Sequence, residues 1–344
     1  MNLMRRNGCH RPFASVLAWA LAAVVIHGPK QAAGQSSHHP ATTSSEVSAS
    51  TARAQDGESQ PQLTPQEIRR YDEAQTLIDW TPQQIHDLPE LRELQPAESQ
   101  QDLPAILREV GERVSVFFED FPNMTATEQV RSGPCGAELG DKCRVTSKDK
   151  FNYLVLTPQT EGDQLFGEYR TDAKGRPIDY LRLKPGQVLT YGFTTWPLQH
   201  FHPKNRMASR FRYFGRQMVD GRETEVVGFA EIPGKYPRPT ELRHGSAVVP
   251  LVVQGLAWID VTNHQILRIE TYLLAPPPEA DLERETTQIE FSAIQLRQAS
   301  TPFWLPTEVV VDVWLDHRHF RNIHRYSDFK LFRVETRIGP VVEK

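Results

Sequence analysis

The stretch Thr286-Thr287-Gln288-Ile289-Glu290-Phe291-Ser292-Ala293 decides the fold. Ile289, Phe291 and Ala293 fall on one side of an extended chain, and Gln288, Glu290 and Ser292 fall on the other. Side chains of a strand point alternately to its two faces, so this is a strand with one dry side and one wet side. The pattern recurs on both flanks. Upstream, Leu267, Ile269, Thr271 and Leu273 face one way, with Arg268 and Glu270 opposite. Downstream, Val309, Val311 and Val313 face one way, with Glu308 and Asp312 opposite. Such strands belong in an antiparallel sheet with one covered face.

Working outward, further strands are expected at Met124–Arg131, Phe151–Thr157, Leu165–Thr171, Ser209–Val219, Arg222–Glu231 and Leu251–Asp260. The three alternating segments extend to Gln265–Leu274, Thr286–Leu296 and Thr307–Leu315, and a last ribbon runs from Arg318 to Ile338. Asp220-Gly221 is a strong hairpin signal, because both turn positions need a positive φ. Asp260-Val261-Thr262-Asn263 reads as a second hairpin turn. A phase shift near Leu331-Phe332 predicts a bulge. Ile232–Pro250, rich in proline and glycine, reads as a loop of roughly 18 residues, a length that is uncommon between strands.

Helical signals precede the strands. Thr64-Pro65-Gln66-Glu67 combines an N-cap, a first-turn proline and a capping-box glutamate, and predicts a helix to about Trp80. Thr81-Pro82-Gln83-Gln84 starts a second, which Pro89 ends. The strongest runs from Leu103 to Glu119, with Asp102 as its expected cap. Leu103, Ile106, Leu107, Val110, Val114, Phe117, Phe118 and Phe121 form one stripe at the helical period. Gly111 interrupts the stripe at a cost of about 1 kcal/mol of helix propensity, and close approach to another backbone would offset it. Helices followed by meandering strands define an α+β domain, and the Leu103 helix is the natural cover for the dry face.

The chain has 344 residues, and hydrophobic residues make up 39% of it, enough for a sizeable core. Arg5, Arg6 and Arg11 precede an apolar run from Phe13 to Ile26, and Ala32-Ala33-Gly34 offers small residues for cleavage after Gly34. The run is about 14 residues where a membrane span needs roughly 20, so it reads as a cleavable export signal. No other segment is long and apolar enough to span. Residues 1–34 are therefore expected to be a signal peptide, and the Ser-, Thr- and Gln-rich residues 35–62 a disordered spacer. Residues 63–100 form a helical extension, and residues 101–344 the β-rich domain. Processing leaves 35 of the 39 basic residues against all 43 acidic ones. That balance, without a basic block, argues against nucleic acid as a partner. Cys135 and Cys143, in a glycine-rich stretch, read as a disulfide in an oxidising compartment, with free thiols and a metal site as the alternatives.

The motifs around this frame resemble a known group. Phe121-Pro122-Asn123-Met124-Thr125-Ala126-Thr127-Glu128 after the amphipathic helix resembles exported bacterial proteins of unknown function. So do Gln254-Gly255-Leu256-Ala257-Trp258-Ile259-Asp260, Ile266-Leu267-Arg268-Ile269-Glu270, Phe303-Trp304-Leu305-Pro306 and Arg325-Tyr326-Ser327-Asp328-Phe329. The Trp-Ile-Asp turn followed by a strand carrying Arg is similar to hairpins of the LolA-like family, the periplasmic lipoprotein carriers and their relatives. That resemblance covers residues 101–338 and implies an open half-barrel, a large curved sheet closed by helices. It further implies a periplasmic, non-enzymatic protein that holds an apolar ligand: a lipid, an acyl chain or a lipidated protein. The residues that would line such a cavity are Leu107, Val114, Phe117, Phe118, Ile269, Ile289, Phe291, Val309 and Val311. The competing expectation is that the same residues fill a solid core, in a module that meets an envelope protein partner.

No catalytic residues, cofactor or metal are assigned. His200 and His202, and His317 and His319, are spaced to share a strand face and could join His324 in a zinc set. Arg318 and Arg321 oppose a cation there, and these histidines read as surface or strand residues. His324, Ser327 and Asp328 have the types of a hydrolase triad, but neighbours on one strand do not converge. Neither a nucleophile elbow nor a phosphate-cradling glycine loop is present.

Overall fold

The computed structural model describes residues 19–21, 63–136, 142–157, 166–178, 187, 196–236, 240–244, 247–277, 282–297 and 299–332. The expected signal cleavage site and the spacer lie outside these. Trp19–Leu21 (β1) belongs to the apolar run and pairs antiparallel with Thr240–His244.

The helices are α1 Pro65–Asp72, α2 Pro82–His86, α3 Leu103–Asp120 and α4 Trp196–Gln199. Thr64 and Thr81 both form complete capping boxes, each at the position the sequence gives. Two expectations are corrected. α1 stops at Asp72 instead of running to Trp80. Past it, Thr76 bonds Asp79, and Arg210 from the sheet binds both, pulling the chain into a separate turn at Leu77–Asp79. Asp102 precedes α3 but its side chain makes no cap bond; its carbonyl receives the amides of Ala105 and Ile106 instead.

The strands are β2 Gln95–Pro96, β3 Met124–Gly136, β4 Lys142–Cys143, β5 Ser147–Leu156, β6 Gly167–Thr171, β7 Ser209–Val219 and β8 Arg222–Glu231. They continue as β9 Thr240–His244, β10 Ala247–Leu251, β11 Val253–Asp260, β12 Ile266–Leu273, β13 Leu282–Ile294, β14 Phe303–Leu315 and β15 Arg318–Leu331. β1, β9 and β10 make a small ribbon; the rest form one 12-stranded sheet. Its order is β2-β7-β8-β11-β12-β13-β14-β15-β3-β5-β6, with β4 paired to β3. The sheet is an open, antiparallel half-barrel: β2 stands at one edge and β6 at the other.

β7 and β8 match their expected bounds. Between them Asp220 and Gly221 have φ of 49° and 77°, as a type I′ hairpin requires. The Asp260 carboxylate receives the amides of Thr262 and Asn263, closing the second hairpin. Ile232–Pro250 is corrected: β9 and β10 lie inside it and pair with each other. The predicted bulge sits a few residues earlier, between Ser327 and Lys330, where Asp328 has φ 55°.

The two faces of the sheet pack differently. On the inner face, Val227, Phe229, Ala257, Ile259, Ile269, Ile289, Phe291, Val309 and Val311 form one core with Ile106, Val110 and Val114 of α3. The alternate residues Val226, Leu256 and Trp258 point outward, and there they meet Leu77, Ile85 and Leu91 of the extension. Residues 63–100 therefore cover the outer face at β7, β8 and β11. This is why β11 is buried at every position along Val253–Asp260 instead of alternating. Each apolar side chain the extension buries contributes about 1.5–3 kcal/mol.

Candidate functional site

Gly111 lets α3 come down onto the Trp196–Ala208 segment. A Cβ there would lie 3.2 Å from the carbonyl oxygen of Phe201 and 3.3 Å from Pro203. Close backbone approach is thus the use of this glycine, as its place in the stripe suggested. Beneath the helix, all nine residues expected to line a ligand cavity belong to one cluster. Val114, Ile269, Ile289, Phe291, Val309 and Val311 are buried, while Leu107, Phe117 and Phe118 are half-buried at the rim. A crevice at α3, lined by Val110, Arg113, Val114, Phe117, His264 and Phe291, measures about 20 Å³. That is little more than one water-sized probe needs. The rim is aromatic: Phe117, Phe118, Phe121 and Phe166 pack edge to face or stacked.

Beside this apolar seam the inner face turns ionic. Glu128 on β3, Arg170 on β6 and His324 on β15 have fully buried side chains. Arg170 reaches across β5 to grip Glu128 with two nitrogens, its Nη2 at 2.8 Å from Oε1. His324 Nδ1 lies 2.8 Å from the same Oε1, and the Tyr326 hydroxyl donates to it at 3.0 Å. The Tyr153 ring lies 5.1 Å from that of Tyr326, under the Arg170 guanidinium, and its hydroxyl bonds Glu168. Burial by itself would raise the Glu128 carboxyl; the Arg170 charge and the bonds from His324 and Arg170 outweigh it and hold it at about 2. Glu128 is thus an ion at any ordinary pH, held by Arg170, His324 and Tyr326. Of the sequence-stated triad types, His324 is spent on Glu128 while Ser327 and Asp328 are exposed.

A second buried pair sits at the end of β8. His200, expected at the surface or on a strand, is corrected: it is fully buried just after α4, stacked on Phe229. His202 is buried too. The reason is packing. The Trp196–Ala208 segment folds under α3, and its aromatic neighbours carry the histidines inward with them. His200 Nε2 lies 3.7 Å from Glu231 Oε1, and Glu231 Oε2 receives the Val253 amide at 3.0 Å. Burial pushes Glu231 up to about 8 and His200 down to about 3, so both are neutral at pH 7. Nothing in the sequence marked this pair, because its partners are far apart in the chain and each reads locally as a wet residue.

Cys135 and Cys143 are joined as a disulfide across β3 and β4. Cys135, Asp312 and His319 offer ligand atoms within 4.8 Å of one another. The cysteine sulfur is committed to the disulfide, however. Asp312 is bound by Arg321 through two nitrogens and by His319 at 2.6 Å. A cation would have to displace a guanidinium from its carboxylate. His319 is also held flat on Trp314, with ring centroids 4.1 Å apart. Among the described residues, no helix is long and apolar enough to cross a membrane.

No family model matches the chain, and no curated protein matches it. Solved structures align with it at low identity. A Vibrio parahaemolyticus domain described as outer membrane lipoprotein-sorting aligns with 65% of this chain and 91% of its own, at 10% identity and a TM-score of 0.37. A LolA superfamily protein from Nitrosomonas europaea aligns with 67% and 94%, at 13% identity and a TM-score of 0.33. A DUF1329 family protein from Desulfovibrio piger aligns with 66% and 92%, at 11% identity and a TM-score of 0.33.

Proposed function

We propose that this protein is a non-enzymatic binding module of the bacterial cell envelope, exported to the periplasm, in which the α3 seam is a filled core. The observation that carries this reading is the packing of the seam: Val110, Val114, Ile269, Ile289, Val309 and Val311 are each exposed by 4% or less, and the crevice at α3 holds only about 20 Å³. A single acyl chain of a dozen methylenes needs many times that room. The nine apolar residues then serve to fix the sheet, and the partner surface lies elsewhere, with an envelope protein as its class of partner. The Glu128 carboxylate agrees with a structural role, since a group that titrates near pH 2 is a poor general acid or base near neutrality.

A second reading has its own support. Arg206 donates to the Leu107 carbonyl at 2.9 Å, and α3 otherwise rests on apolar contacts. A helix held this way can lift, and a lipid, acyl chain or lipidated protein would enter the seam at about 0.8 kcal/mol per buried methylene. Native mass spectrometry of protein taken from a periplasm without detergent separates the two. A ligand-free mass, with slow amide exchange along α3, supports the filled core. A stoichiometric lipid that disappears in Phe291→Ser overturns it and identifies the seam as a cargo site.

A further inference from the structure

Among the described residues, a cavity larger than the α3 crevice lies on the other face of the sheet. It measures about 150 Å³ and lies where residues 63–100 cross the outer surface of β7, β11 and β12. Leu77, Leu88, Leu91, Phe214, Leu256 and Tyr272 supply most of its wall. A dry cavity of this volume lined by Leu, Ile and Phe is known to accept benzene. It is not a packing accident between loose pieces: both sides are pinned. The Leu77 amide donates to Gln254 Oε1 at 2.7 Å, and Arg212 bonds the carbonyls of Ile78 and Trp80. Gln217 binds the Glu90 carbonyl at 2.9 Å on the far side.

Part of the wall is polar: Gln254, Tyr272, Arg284 and Glu285. Tyr272 is buried against Glu270, which stands outside the wall, and the two side chains bond each other. Burial first, and the nearby Glu90 charge second, raise Glu270 to about 7. Glu270 is therefore a neutral acid over much of the mildly acidic range, able to donate as well as accept. Tyr272 is the hydroxyl that the cavity offers to a ligand.

We propose that this outer-face cavity is a binding site for a small aromatic ring bearing a hydroxyl group. The ring occupies the space walled by the leucines and Phe214, and its hydroxyl reaches Tyr272. The aromatic class follows from the volume, which suits one six-membered ring and no more, and from the aromatic walls Trp80, Phe214 and Tyr272. This site is independent of the α3 seam: Phe291 and Val311 line neither its wall nor its mouth.

The test uses the full chain, with phenol, benzene and 1-hexanol as probes, read by thermal shift and by saturable NMR line changes. Phenol is expected to bind saturably and about tenfold more tightly than benzene. Leu88→Trp fills the cavity from its half-buried rim and should weaken phenol by at least tenfold. Should that variant fail to fold, Tyr272→Phe, which conserves volume, decides: phenol should lose its advantage over benzene. Absence of saturable binding overturns the site, as does phenol affinity unchanged in Leu88→Trp. Tighter binding of 1-hexanol than of phenol overturns the aromatic assignment. None of these outcomes bears on whether a lipid is found in the seam, which Phe291→Ser reads separately.

Discussion

The backbone amide of Leu77 donates a hydrogen bond to Oε1 of Gln254 at 2.7 Å, buried, between residues 177 apart in sequence. This bond fastens the helical extension to the outer face of the sheet. Gln254→Ala leaves the amide buried and unsatisfied, and should destabilise by about 1–3 kcal/mol. The loss should be local: amide exchange across Leu77–Leu91 should accelerate while β13–β15 stay protected. Uniform acceleration would show that the extension and sheet unfold as one unit.

The Glu128–Arg170 pair makes a sharper prediction. Removing one partner from a buried pair strands the other charge, so Arg170→Met should cost about 3–5 kcal/mol. Glu128→Leu combined with Arg170→Met should recover much of that, because two apolar groups leave no orphan. A double variant as unstable as the sum of the singles, measured by urea denaturation, would deny the pairing.

Stability should depend on pH in two windows. Glu128 is held near 2, below its ordinary value of 4.5, so its contribution is present above pH 4.5 and fades as pH falls toward 2. Glu231 and Glu285 are raised by burial, to about 8 and about 7, so they retain protons in the fold that the unfolded chain has lost. Their contribution is complete below pH 4.5 and is lost as pH rises through 7 to 8. Denaturation midpoints should therefore fall between pH 5 and pH 8. Glu231→Gln should flatten that decline by on the order of 2 kcal/mol. A variant with the same slope as the parent would place the proton elsewhere.

Gly111→Val puts a branched side chain against the Phe201 carbonyl and Pro203, where a Cβ already has 3.2–3.3 Å. Despite any gain in helix propensity, overpacking of about 1–3 kcal/mol is expected. Calorimetry reads it directly, and a stabilised Gly111→Val would mean α3 can shift outward freely.

The strands were legible because their signals are local. Alternation at Ile289, Phe291, Val309 and Val311 gave β13 and β14, and Asp220-Gly221 gave the β7–β8 hairpin to the residue. The nine apolar residues nominated from helix and strand phases do converge on one seam. The sequence did not show whether that seam was empty, since periodicity fixes which face a side chain takes and not how far the facing element stands off. The loop reading of Ile232–Pro250 failed because prolines and glycines there mask two brief strands.

By itself, then, the sequence determined the α+β class, the capped starts of α1 and α2, the amphipathic face of α3, the hairpin turns and the cysteine pair. Each depends on residues a few positions apart, where propensity, capping and alternation act. Only the tertiary structure decided that the extension covers the outer face and encloses a cavity there. It alone brought Glu128, Arg170 and His324 together from three strands, and buried His200 against Glu231. Charged residues are stable in water when read alone; which of them are carried inside, and beside which partner, is set by strand order and by the layers packed on each face of the sheet.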